Sequence, residues 1–155
     1  MNECETLSGL LPQSHPMILL SGFTPASDPA SVESWVDITD KSPFFDAALG
    51  GVPGCVALEY MAQTMALSVG LMRRRKGLAP KLGFVLGSRK LEVFLPCFRC
   101  SERYFVRVDC TYQDESFGSF NCVIADAAGM VAATAQMTAF QPEGEVTPEI
   151  MESFT

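Results

Sequence analysis

The segment that decides the fold runs from Pro53 to Lys76 and reads PGCVALEYMAQTMALSVGLMRRRK. Its many Ala, Leu and Met residues favour a helix, and Gly77 directly after it is a stop signal. The basic last turn, Arg73 to Lys76, is favourable to the helix dipole. Because the helix is apolar nearly all round, we predict that it is buried in the core of the protein.

Two polar residues in this apolar helix need an explanation. Glu59 and Gln63 are four residues apart, so they lie on one face of the helix. A carboxyl and an amide in such a helix are either core residues held by hydrogen bonds or parts of a functional site. We favour the functional interpretation.

Most of the remaining chain has the pattern of β-strands. In the strand predicted at 104–113, alternate residues from Tyr104 to Tyr112 form one apolar face. Asp126 to Gly129 is a good hairpin loop. The predicted strands cover residues 32–39, 82–86, 89–94, 104–113, 119–125 and 130–140.

One long buried helix followed by several antiparallel strands predicts an α+β fold. The arrangement that fits is a single hotdog domain, in which a curled antiparallel sheet wraps around one central helix. We expect this domain to cover residues 1–141. The segment 142–155, rich in Glu and Pro, should be a loosely attached tail.

The composition is that of one globular domain, with 48% hydrophobic and 19% charged residues in a chain of 155. A formal net charge of -7 argues against a nucleic-acid partner. No unbroken apolar run approaches the length of about 20 residues that a spanning helix needs, so we expect no membrane insertion. No secretory signal is visible, and we expect a cytoplasmic protein with reduced cysteines.

Six cysteines include the pair Cys97 and Cys100, which form a lone CxxC motif. A zinc site needs further ligands at suitable spacing, and the one histidine, His15, is far away in sequence. We therefore interpret both as ordinary loop cysteines and expect no metal.

Three motifs resemble the 3-hydroxyacyl-[acyl-carrier-protein] dehydratases of fatty-acid synthesis. LPQSHPMILL at 11–20 resembles the family's opening LPHxxPMLL, and SPFF at 42–45 is similar to the FF that precedes the active-site loop. PGCVALEYMAQ at 53–63 resembles the family's helix, a PG followed by four apolar residues and ExMAQ. A closer resemblance is to the dehydratase-like proteins of aryl-polyene pigment clusters, through LEYMAQ at 58–63, GFVLGSR at 83–89, YQDE at 112–115 and FQP at 140–142.

This resemblance implies a dimeric hotdog protein with active sites at the subunit interface. A loop His and a helix carboxylate would remove water from a 3-hydroxyacyl thioester, which arrives on the phosphopantetheine arm of an acyl carrier protein without any other cofactor. The carboxylate maps onto Glu59. The loop His has no counterpart, because the family's GHFPGxP loop corresponds to a shorter segment at 46–52 whose one titratable residue is Asp46. In the opening motif the family's His falls on Gln13, and His15 stands two residues later.

Elimination of water needs a base for the C2 proton, an acid for the leaving hydroxyl, and donors for the thioester oxygen. Gly54 and Cys55, at the helix N-terminus, can supply backbone N–H groups. Glu59 can act as the acid, with Gln63 orienting it. His15 is the one imidazole that can serve as the base.

Three functions remain open. The chain is a dehydratase or dehydratase subunit, a thioesterase in which Asp46 or Glu59 attacks the thioester or activates water, or a non-catalytic partner of an active paralogue. The third explains the lost His most economically, and homodimer and heterodimer both remain possible. The basic turn from Arg73 to Lys76 either docks an acidic carrier protein or merely complements the helix dipole.

Overall fold

The structure is a computed structural model that describes residues 7, 10–11, 17–24, 28–79 and 83–142, with residue 84 described by its backbone alone. His15, Gln13, Leu82, Cys4 and all of the predicted tail after residue 142 lie outside the described residues. The elements, in chain order, are β1 (Gly22–Phe23), β2 (Ser31–Asp37), β3 (Gly51–Pro53), a 3-10 helix (Gly54–Val56), α1 (Ala57–Arg75), β4 (Phe84–Val93), β5 (Cys97–Arg99), β6 (Arg103–Gln113), β7 (Phe117–Asp126) and β8 (Val131–Phe140).

Six strands form one antiparallel sheet in the order β1-β2-β6-β7-β8-β4, which packs against helix α1. Strands β3 and β5 form a separate two-stranded sheet. The predicted α+β class, with one helix packed against a large antiparallel sheet, is confirmed.

Strand β4 differs from its prediction as two separate strands. It is one strand that pairs with β8, and its register shifts between Val85 and Gly87 and again between Arg89 and Glu92. At the second shift Lys90 has a φ of 54°, an unusual conformation for a residue with a side chain. These irregularities break the sequence alternation, and the break gave the appearance of a gap between two strands.

The core lies between α1 and the inner face of the sheet. In β6, Tyr104, Val106 and Val108 are buried, as their alternation predicts. The predicted apolar face fails further along, because the register shifts between Cys110 and Tyr112 and leaves Tyr112 57% exposed.

The helix is buried on one side only, which corrects the expectation that it is buried all round. Tyr60, Met61 and Leu67 face the core, whereas Ala62, Ala66 and Val69 are partly exposed and Leu58 and Glu59 are exposed. By length and composition alone, the helical segment Gly54–Arg75 is apolar enough to cross a membrane, a property that counting unbroken apolar runs missed. Half of its most apolar stretch is buried inside the fold, and the core helix of a soluble protein can have the same length and composition.

Buried polar residues on the core side of α1 are satisfied by neighbouring elements. The hydroxyls of Thr64 and Ser34 are hydrogen-bonded at 2.8 Å, and the Ser68 hydroxyl donates to the Pro29 carbonyl. At Gly70 the Leu10 backbone comes so close that a Cβ atom would lie 2.3 Å from the Leu10 carbonyl oxygen. These contacts fix the helix position relative to β2 and to the N-terminal chain.

Phe98 of β5 connects the small sheet to the core. Its ring is fully buried and makes edge-to-face contacts with the rings of Tyr60 and Tyr104, with centroids 5.3 Å and 4.9 Å apart. Burial raises the pKa of both phenols above its usual value, for Tyr104 to about 12. Cys97 of the CxxC motif therefore lies in a packed strand and not in a loop, whereas Cys100 lies in the turn that follows, as the loop interpretation expects.

We expect Phe98→Ala to lower the free energy of unfolding by about 3–5 kcal/mol, because it removes two aromatic contacts and leaves a cavity. Urea denaturation measures this change. Phe44→Ala is the control, since Phe44 is 61% exposed and its removal should change stability by less than about 0.5 kcal/mol. Equal stability of the two variants would contradict the role assigned to Phe98.

Candidate active site

The side-chain amide of Gln63 is the centre of the candidate site. It is fully buried, and all its bonds are short: Nε2 donates to the Met17 carbonyl at 2.8 Å and to Glu59 Oε1 at 3.0 Å. Oε1 accepts the Leu19 N–H at 2.9 Å. One amide therefore attaches the chain at 17–19 to helix α1 and also holds the Glu59 carboxyl.

Glu59 lies one turn before Gln63, in the first turn of α1. Its side chain is exposed, which differs from the expectation of a buried carboxyl. Within the described residues, the Glu59 carboxyl is held by Gln63 and otherwise faces open space.

The backbone at the helix N-terminus was expected to offer N–H donors. The Gly54 N–H donates to the Pro96 carbonyl at 3.0 Å, so it is not available to bind a substrate carbonyl. A Cβ at Gly54 would lie 2.7 Å from the Leu95 carbonyl oxygen, so this glycine permits the close approach of the chain before β5. Cys55 is exposed in the first turn, where helix N–H groups lack acceptors within the helix. Of the two predicted donors, the Cys55 N–H is the one without an acceptor outside its own helix among the described residues.

Asp46 does not join this site. Its Oδ1 accepts the N–H groups of Ala48 and Leu49 at 2.9 Å and 3.3 Å, and its backbone pairs with Gly51. The carboxylate therefore stabilises its own turn, in the manner of an Asx turn. It does not line the cavity beside Glu59.

His15, the predicted base, lies outside the described residues. The described chain resumes at Met17, whose carbonyl is bound by Gln63.

A cavity of about 180 Å³ lies beside Glu59, between the exposed stripe of α1 and the sheet. Ala62, Ala66 and Val69 line the helix side, and Gly118, Phe120 and Ala139 line the sheet side. The turn between β6 and β7, at 113–116, closes one end with polar side chains.

Asp114, in that turn, was missed as a lining residue by sequence reasoning. Its Oδ1 accepts the N–H groups of Phe117 and Ser116, and its Oδ2 accepts the Tyr112 hydroxyl at 2.9 Å. These hydrogen bonds hold the pKa of the Asp114 carboxyl below its usual value, with the Phe117 N–H contributing most. Asp114 is thus an engaged carboxylate and a weak candidate for a base. The YQDE motif was the signal that pointed to this turn.

A second, shallower groove continues from the cavity toward the C-terminal end of α1. The two share Val69, Gln113 and Glu115 among their lining residues, and the groove ends at Arg73, Arg75 and Lys76. The basic last turn of the helix therefore lies at the outer end of the depression that begins at Glu59.

The cysteines of the CxxC motif have different surroundings. Cys97 is buried and its thiol donates to the Leu49 carbonyl at 3.4 Å, while Cys100 is partly exposed. Within the part of the chain that the structure describes, no three His, Cys, Asp or Glu side chains are grouped to hold a metal ion.

The antiparallel sheet packed on one helix is the hotdog fold expected from the sequence. A protein-family model described as ApeP dehydratase, ApeP-like, matches residues 5–151. The chain belongs to this ApeP-like family. No match was found among the curated proteins.

Solved structures share the fold of this chain. The chain is similar to the dehydratase heterocomplex ApeI:P from Xenorhabdus doucetiae, with a TM-score of 0.83, 27% identity and coverage of 96% of this chain and 95% of that one. It also shares its fold with a hypothetical thioesterase from Streptococcus pneumoniae, solved with coenzyme A (TM-score 0.59, 15% identity, coverage 80% and 87%). The PaaI protein from an E. coli phenylacetic acid degradation operon is a further structural relative (TM-score 0.58, 11% identity, coverage 76% and 80%).

We expect Gln63→Leu to lower the free energy of unfolding by about 2–4 kcal/mol, because the Met17 carbonyl and the Leu19 N–H lose a buried partner. Thermal or urea denaturation measures the loss. Gln136→Leu is the matched control, because Gln136 is exposed on β8. A Gln63→Leu protein as stable as the wild type would mean that these hydrogen bonds do not hold the chain at 17–19.

Proposed function

We propose that this protein is a dehydratase subunit that removes water from a 3-hydroxyacyl thioester in polyene-type biosynthesis, with Glu59 as its catalytic carboxyl. The observation that carries the proposal is the bond between Gln63 and Glu59 at the edge of the cavity. A buried amide that binds three groups leaves the Glu59 carboxyl a restricted range of positions. Such positioning is what acid catalysis requires.

In the reaction a base takes the C2 proton, and the electron pair of that C–H bond forms the C2=C3 double bond. The C3–OH bond breaks, and the leaving hydroxyl takes the proton of the Glu59 carboxyl to depart as water. The Cys55 N–H, at the positive end of the helix dipole, is suited to stabilise the negative charge on the thioester oxygen. Return of the C2 proton from the base to Glu59 completes the cycle.

His15 is our proposal for the base. It precedes Met17 by two residues, and an extended chain spans at most about 3.6 Å per residue. Gln63 binds both the Met17 carbonyl and the Glu59 carboxyl, so His15 has only a short distance to span to the site at Glu59. Asp46, the other candidate, has its carboxylate committed to its own turn, which also weakens the thioesterase alternative.

The partner we propose is a paralogous hotdog dehydratase in a heterodimer. Strand β4 is at the edge of the sheet, and every side chain from residue 85 to 94 is exposed. An edge strand with exposed apolar residues favours pairing with another chain. The similar solved structure is itself a dehydratase heterocomplex, which supports this choice. The exposed apolar side chains of this segment are Val85, Leu86, Leu91, Val93 and Phe94.

A non-catalytic role beside an active paralogue is the second candidate. The observation that favours it is the exposure of Glu59, which lacks the dry surroundings that strengthen electrostatic catalysis. A partner that covers this face would exclude water from Glu59 and so remove this objection to catalysis. The dehydration rate of the complex therefore distinguishes the two candidates.

We expect Glu59→Gln to slow dehydration by the complex about 10²- to 10⁴-fold, the usual contribution of one acid–base group. The assay follows loss of water from a 3-hydroxyacyl carrier-protein thioester by mass spectrometry. Glu33→Gln, which removes a carboxyl on β2, is the control and should leave the rate unchanged. An unchanged rate in Glu59→Gln would assign the chemistry to the partner, and release of free acid would indicate a thioesterase.

We further propose that an acyl carrier protein docks at the basic end of the groove, near Arg73, Arg75 and Lys76. Carrier proteins are acidic, so a cationic patch beside the groove that begins at Glu59 is complementary in charge.

Lys76→Glu should raise the KM for a carrier-bound substrate about tenfold at low salt, with less effect at high salt. The same substrate on free pantetheine should be used with an unchanged KM. Lys41→Glu makes the same change in net charge at an exposed turn and serves as the control. Equal effects of the two variants would rule out docking at the helix end.

A further inference from the structure

The last described residues of the chain lie at the groove that ends at the basic turn of α1. Gln141 lines both the cavity beside Glu59 and this groove, and its backbone N–H donates to the Ser116 carbonyl at 2.7 Å. Pro142, the next residue, is buried. The chain beyond Pro142 therefore starts where the cavity and the groove meet.

The segment that follows combines acidic and apolar residues. Residues 143–155 read EGEVTPEIMESFT and include no Lys, Arg or His. At neutral pH its carboxylates are negatively charged, and its hydrophobic residues favour contact with apolar surface. The glutamates are Glu143, Glu145, Glu149 and Glu152, and the larger apolar residues are Val146, Ile150, Met151 and Phe154.

The groove offers a complementary surface. Its outer end carries Arg73, Arg75 and Lys76, and the adjacent Leu78 is 49% exposed. Met72 adds a further apolar side chain. The groove has a volume of about 720 Å³, against about 180 Å³ for the cavity beside Glu59, so it has room for a peptide segment. An acidic segment with apolar residues matches this combination of positive charge and apolar surface.

Two carboxylates oppose this match at the inner end of the groove. Asp114 and Glu115 line both depressions and would repel the glutamates nearest the start of the segment. The Asp114 carboxylate accepts hydrogen bonds from the Tyr112 hydroxyl and from two backbone N–H groups, which reduces that repulsion. The attractive charges lie farther out, because Lys76 is about 10 Å along the helix axis from Val69, where the two depressions meet.

The length of the segment suits this distance. Glu149 follows Pro142 by seven residues, and an extended chain of that length spans up to about 25 Å. Glu149 and Glu152 are therefore the carboxylates that can reach the basic turn of α1. Because the segment is attached at the groove, its effective concentration there is of the order of millimolar. Contacts too weak to hold a separate peptide are then sufficient.

We propose that this groove is a docking site for the chain's own segment 143–155, with Glu149 and Glu152 at the basic turn. Exposed ion pairs are individually weak, so the docked segment is a reversible cover. It occupies the surface at which an acidic carrier protein would dock, and the two exclude each other. This last step rests on the proposed function, whereas docking of the segment does not.

Cross-linking of the full chain with a water-soluble carbodiimide tests the docking, because the reagent joins a carboxylate to a lysine only where the two are in contact. Lys90 is the internal control. It is exposed on β4 next to Arg89, which pairs with Gln136, about 17 Å along the sheet from Gln141. An undocked segment would reach both lysines. We expect linkage of segment 143–155 to Lys76 to exceed linkage to Lys90 about fivefold or more.

Charge reversal at the groove should remove this preference. In Arg75→Glu the ratio of Lys76 to Lys90 linkages should fall to about one, and about 0.5 M NaCl should lower it at least about twofold in the wild type. Lys41→Glu makes the same change in net charge at an exposed turn and should leave the ratio unchanged. Equal linkage to the two lysines in the wild type would overturn the proposal, as would an unchanged ratio in a folded Arg75→Glu protein.

A mixture of isotope-labelled and unlabelled chains identifies the source of the segment. Linkage within single chains is expected, and linkage mainly between chains would overturn the proposal in favour of a second copy.

Addition of an acidic acyl carrier protein should lower linkage to Lys76 and leave linkage to Lys90 unchanged. Linkage to Lys76 that stays constant at every carrier concentration would overturn the mutual exclusion. The proposed catalytic function fails separately: Glu59→Gln should dock its segment as the wild type does, whatever happens to the dehydration rate.

Discussion

The hydrogen bonds of the Gln63 amide are the constraint on which the candidate site depends. A buried primary amide has two donors and one acceptor oxygen, and here the Met17 carbonyl, the Leu19 N–H and the Glu59 carboxyl use them. The first two bonds join the N-terminal chain to α1, and the third joins that assembly to the exposed carboxyl. A hydrophobic residue at 63 would leave the Met17 carbonyl and the Leu19 N–H without this partner, so the position is restricted by folding as well as by chemistry.

Other polar residues of α1 show what a purely structural role looks like. Thr64 and Ser68 are buried, and each bonds to a fixed group of the protein interior. Glu59 differs because its carboxyl is exposed, is held by one amide, and borders a cavity. The contrast is between polar groups that complete the core and one polar group that the core positions toward open space.

The sequence was sufficient for the helix, the long strands and the pairing of Glu59 with Gln63, because each depends on local periodicity. It was insufficient where tertiary contacts override that periodicity. The three short strands have too few residues for alternation to be visible. In β4 and β6, bulges change which side chains face the core, although the alternation in the sequence continues. The loss of the Gly54 N–H to Pro96 also depends on a residue some forty positions away, which no local motif reports.

The one-sided burial of α1 has a physical consequence for how this site works. A stripe of alanines and a valine, together with an edge strand whose apolar side chains are exposed, leaves apolar surface in water that folding of the single chain does not remove. A covering chain would gain the free energy of burying that surface, and it would at the same time dry the space around Glu59, where low dielectric strengthens the field of a positioned carboxyl. The same surface would then serve both association with the second chain and catalysis. The features that make α1 an incomplete core helix in the single chain are therefore those that suit it to a site completed by a second subunit.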